Sequence, residues 1–93
     1  LEYKLNGHLT SHIDTNNKIY PTATICLSEF GKDFSGGGLC YKVNNKFVNI
    51  EKYCDLGSLV MHDSKTYHCV KNIKLKKKQN GKKTLILKIS ELN

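Results

Sequence analysis

The chain has 93 residues, 39% of them hydrophobic, which is enough for one domain with a small core. No apolar run approaches the roughly 20 residues that a membrane-spanning helix requires. Fifteen basic residues against eight acidic ones give a net charge of +7, and every basic residue is a lysine, so no side chain offers a carboxylate the rigid two-pronged grip of a guanidinium.

Turn-forming residues recur at short intervals, at Asn6-Gly7, Asn16-Asn17, Pro21, Gly31, Gly36-Gly37-Gly38, Asn44-Asn45, Gly57 and Asn80-Gly81. Between them lie short runs rich in Ile, Val, Leu, Thr and Tyr, the pattern of an all-β sandwich or barrel. Eight strands are predicted. The first four are Glu2–Leu5, Leu9–Asp14, Thr22–Ser28 and, after the three glycines, Leu39–Val43. Lys46–Ile50, Ser58–His62, Tyr67–Lys71 and Thr84–Ser90 follow. In the last strand Leu85, Leu87 and Ile89 share one face, because side chains alternate along a strand. No stretch carries an apolar period of 3.6 residues over a dozen positions, and neither a repeat nor a second domain is visible.

Two biased features remain. Lys74–Lys83 reads KLKKKQNGKK and is expected to be a solvated connection between the last two strands; its functional alternative is a phosphate-contacting patch, which lacks interleaved aromatics. Cys26, Cys40, Cys54 and Cys69 fit no metal-binding pair and no small disulfide framework. Buried free thiols in a reducing, intracellular compartment are the expectation.

The chemistry is carried by His12-Ile13-Asp14 and His68. On one strand, residues 12 and 14 point to the same side. A second imidazole from a neighbouring strand would complete two histidines and one carboxylate on one face of a metal. That set suits non-haem Fe(II) and leaves positions open for a co-substrate and oxygen. His62 is a competing ligand but is read as a structural or supporting residue, and His8, beside a turn, as exposed. A zinc site adding Cys69 is disfavoured, because neighbours on a strand face opposite ways.

The order of these elements resembles the double-stranded β-helix (jelly-roll, cupin-like) core of the Fe(II)- and 2-oxoglutarate-dependent oxygenases over nearly the whole chain. The likeness is greatest to the prolyl and lysyl hydroxylase branch: His12-Ile13-Asp14, then Asp33-Phe34-Ser35-Gly36-Gly37-Gly38, then Gly57-Ser58-Leu59-Val60-Met61, then Tyr67-His68-Cys69-Val70, then Gly81-Lys82-Lys83-Thr84. The resemblance implies His12, Asp14 and His68 as iron ligands, 2-oxoglutarate as co-substrate with ascorbate as a compatible reductant, and hydroxylation of a C–H bond. The substrate it implies is a protein or peptide.

That family holds the far carboxylate of 2-oxoglutarate with a cation near the start of the last strand, usually arginine. Lys83 matches the position here, and its sharing a face with Leu85 and Leu87 favours it over Lys82. Thr24, on one face of its strand with Thr22 and Cys26, is the hydroxyl candidate, and Tyr3 lies where the family often has a tyrosine beside the co-substrate. The helices that usually buttress the larger sheet are missing from this stretch, so it is expected to be the C-terminal part of a longer protein. An exposed apolar face, or a partner covering it, is expected to follow. The alternatives are a binding or structural module of the same shape, and an oxygenase acting on nucleic acid or a small molecule.

Overall fold

The computed structural model describes residues 1–13, 21–63 and 65–88. Among these the chain is all-β, with eight strands and one short 3-10 turn: β1 Glu2–Tyr3, β2 Leu9–His12, β3 Thr22–Cys26, β4 Gly38–Val43, β5 Lys46–Asn49, the turn Glu51–Tyr53, β6 Leu59–His62, β7 His68–Lys71 and β8 Lys82–Lys88. The runs between turn signals thus became strands as expected. The difference that matters for the site is that β8 begins two residues earlier, bringing both Lys82 and Lys83 into the ladder.

The strands form two antiparallel four-stranded sheets, β1-β8-β3-β6 and β2-β7-β4-β5. Every connection between consecutive strands crosses from one sheet to the other except the β4–β5 hairpin. There Val43 pairs with Lys46, so the loop is the two residues Asn44-Asn45, both with positive φ (49° and 65°). That is the turn whose twist matches a hairpin, and asparagine tolerates it.

The apolar core is small. Phe34 and Ile73, both in connecting segments, are fully buried and pack with Tyr3, Leu39 and Val70. The three glycines before β4 make this packing possible. Gly37 and Gly38 both hold positive φ, where a Cβ would collide with the backbone at Asn72 and with the Glu51 side chain respectively. The absent side chains let β4 lie against both.

The sheet β1-β8-β3-β6 is inverted relative to the usual pattern of apolar inside, polar outside. Its inner face carries Thr22, Thr24, Lys82 and Thr84, all buried. Its outer face carries Leu59, Met61, Leu85 and Leu87, each about half exposed (45–56%). Register brings these into two rows across three strands, Leu87–Ala23–Met61 and Leu85–Ile25–Leu59. An exposed apolar face was expected, and this four-stranded sheet carries one. No described helix is long and apolar enough to cross a membrane.

Candidate functional site

Between the sheets lies a cavity of about 190 Å³, more than ten times the roughly 10–15 Å³ that a single water needs. Strands β1, β3, β6 and β8 supply Tyr3, Thr24, His62, Lys82 and Thr84 to its wall, and β7 supplies His68. It is an apolar-walled space with convergent hydroxyls, imidazoles and one cation, the composition typical of a small-molecule site.

His68 opens β7, and the backbone register pairs it directly with His12 at the end of β2. Its ring orientation is set from behind. The carboxylate of Asp63 accepts hydrogen bonds from the Thr66 hydroxyl (2.7 Å) and the Lys65 N–H (2.9 Å), closing a tight turn. The Thr66 hydroxyl in turn holds the Asp63 carboxyl below its ordinary range. The turn presents the Thr66 carbonyl to His68 Nδ1 at 2.9 Å. A carbonyl can only accept, so Nδ1 carries a hydrogen, and in the neutral ring the lone pair falls to Nε2. This is how a metal-binding histidine is commonly held.

His62 stands against His68, with ring centroids 4.1 Å apart. Its Nδ1 lies 3.3 Å from the Tyr41 hydroxyl, and Tyr41 also meets the His68 ring edge-on. His62, read from sequence as a supporting residue, is buried and packed on His68. His8 is exposed and bonds the Asn6 carbonyl.

The lysine is the main correction. Lys83 is exposed, on the outer face with Leu85 and Leu87, and it is Lys82 that is 2% exposed and lines the cavity. The leucine face of β8 was expected to point inward. The alternation is as expected, but the inner face of this strand is polar because it walls a cavity. Lys82 Nζ pairs at 2.6 Å with Glu51 Oε1, both side chains being nearly inaccessible. The same oxygen accepts the Leu39 N–H at 2.8 Å. Glu51 therefore ties β8 of one sheet to β4 of the other.

Tyr3, Thr24 and His68 thus meet around one cavity, and His12 is the register partner of His68. Asp14 lies outside the described residues. Among the described residues no group of three or more His, Cys, Asp and Glu is arranged to hold a metal. Glu51 was missed from the sequence, and Lys82 was weighed there but set aside in favour of Lys83. The inward parity of Lys82 with Thr84 was readable once β8 was started at Lys82. Burial raises the Tyr3 phenol above its usual value. The chain matches no family model, no curated protein and no solved structure.

Proposed function

We propose that this domain is a double-stranded β-helix oxygenase that uses Fe(II) and 2-oxoglutarate to hydroxylate a C–H bond of a protein or peptide, in the manner of the prolyl and lysyl hydroxylases it resembles. Two antiparallel four-stranded sheets, β1-β8-β3-β6 and β2-β7-β4-β5, support that reading. The observation that carries the reading is the direct pairing of His12 with His68 where β2 ends and β7 begins, beside a cavity of ligand size.

His68 supports the metal reading. The Thr66 carbonyl fixes the His68 tautomer that presents Nε2, and His12 and Asp14 complete a set suited to Fe(II). The cavity residues also fit a 2-oxo acid, with Lys82 as the cation and Thr24, Thr84 and Tyr3 as hydroxyl partners in place of an arginine fork. Bound iron and 2-oxoglutarate would activate molecular oxygen as the oxidant; the protein would orient them and exclude water. Glu51 supports a second reading, a non-catalytic module, because Lys82 is already neutralised within the fold. Oxygen-dependent release of succinate, and a peptide gaining the mass of one oxygen atom, distinguish the two. A folded protein that releases no succinate under iron, 2-oxoglutarate and air is a binding module.

A further inference from the structure

The lysine-rich segment Lys74–Lys83 has the composition of a solvated connection, but its backbone is fastened at several points. Lys74 and Ser35 exchange both backbone hydrogen bonds, at 2.7 and 2.8 Å. Gln79 then holds the tip from within. Its Oε1 accepts the Lys76 N–H at 2.7 Å and the Ser35 hydroxyl at 2.9 Å, and its Nε2 donates to the Gly31 carbonyl at 3.1 Å. Its N–H closes the turn on the Lys76 carbonyl at 3.1 Å. Beyond the tip, the Lys4 ammonium donates to the Asn80 carbonyl and the Gly81 N–H to the Asp33 carbonyl. Lys78, inside the turn, holds φ at +70°. Residues with side chains rarely adopt that conformation, and only where their surroundings impose it.

This frame displays charge. Lys32, next to the anchored Gly31, is exposed, as are Lys74, Lys76, Lys77 and Lys78. No ion pair among the described residues reaches any of the five. Asp33 has its carboxylate engaged by the Glu29 N–H at 2.7 Å. Like charges held on a fixed frame repel one another, so the turn is poised for a counter-charge from outside.

We propose that this turn is a docking surface for the phosphate backbone of a duplex nucleic acid. Leu75, the one apolar residue of the segment, packs against the core. The lysines therefore lack the apolar and aromatic centre on which a protein interface is built, and the apolar anchor of a membrane-surface segment. The segment also has no ring on which an unpaired base could stack. Lysine meets a phosphate as a point charge, without the fork with which arginine reads guanine. The contact is thus to the backbone and independent of base sequence. The turn leaves β7 at the end away from His68, so this surface is separate from the candidate iron ligands.

The test is fluorescence anisotropy of a labelled DNA duplex titrated with the full chain at several salt concentrations. It needs neither iron nor 2-oxoglutarate, so its outcome is independent of the proposed activity. Expected is saturable binding whose logarithm falls linearly with that of the salt concentration. Lys76→Gln, Lys77→Gln and Lys78→Gln together should weaken low-salt binding about tenfold or more and reduce the salt slope by roughly 2–3, since each phosphate contact contributes about 0.9. Lys46→Gln, Lys52→Gln and Lys65→Gln together remove the same charge from exposed lysines elsewhere and should leave the slope unchanged. Equal losses in the two triple variants would mean attraction to net charge alone and would overturn the proposal. So would the absence of saturable duplex binding, or tighter binding to phosphatidylserine vesicles than to duplex.

Discussion

Breaking the Glu51–Lys82 pair should cost this protein most of its stability. Both side chains are at least 96% buried, and Glu51 Oε1 also satisfies the Leu39 N–H. Removing one member of a buried pair leaves an uncompensated charge, at about 3–5 kcal/mol. A further orphaned buried N–H costs about 1–3 kcal/mol. Lys82→Met should therefore lose about 3–5 kcal/mol, and Glu51→Leu more, because it strands both the ammonium and the Leu39 N–H. A domain of 93 residues has about 5–14 kcal/mol in total, so Glu51→Leu should be largely unfolded at 37 °C. The double variant should recover most of the loss, since two apolar side chains can replace a buried pair at little cost. Urea unfolding followed by tyrosine fluorescence, the chain having five tyrosines and no tryptophan, measures all three. Single losses below about 1 kcal/mol that simply add in the double variant would refute the reasoning.

Further outcomes follow from the same geometry. Lys83→Ala should change stability by less than about 0.5 kcal/mol, because the side chain is exposed, and should leave 2-oxoglutarate affinity unchanged; calorimetric titration beside wild type checks the latter. Gly38→Ala should destabilise by about 1–3 kcal/mol, since φ is +109° and the new Cβ would strike Glu51; its urea midpoint reads this. Burial pushes the Cys40 thiol up to about 11 and the Cys54 thiol up to about 12. The unfolded thiols lose their protons first, near pH 8.5. This contribution to stability is therefore complete below that pH and declines as pH rises towards 11–12. Urea midpoints between pH 8 and 10.5 should fall, and less steeply in Cys40→Ala. Leu85→Lys with Leu87→Lys should reduce binding of an apolar dye while sparing the fold, as both leucines lie on the outer face.

The strands were legible because each is bracketed by residues that only a turn tolerates. Asn44-Asn45 and Gly36–Gly38 adopt the left-handed conformations their chemistry suggests. That the strands ending at His12 and beginning at His68 are neighbours was legible from the order of the strands. The orientation of β8 was not, because a leucine face was equated with the interior. In this sheet the cavity claims the inner face for Thr22, Thr24, Lys82 and Thr84, and the leucines face outward. Glu51 escaped notice because nothing local distinguishes it from a surface acid. Its partner is 31 residues away in sequence, and only the folded arrangement of both sheets joins them.

The central claim is that His12 and His68, paired across β2 and β7, hold an iron centre beside a co-substrate cavity. Anaerobic addition of Fe(II) and then 2-oxoglutarate should produce a metal-to-ligand charge-transfer absorption. That absorption should vanish in His12→Ala and in His68→Ala and persist in Lys83→Ala. Folded wild-type protein that shows no such band, or a band that survives both histidine substitutions, would contradict the account.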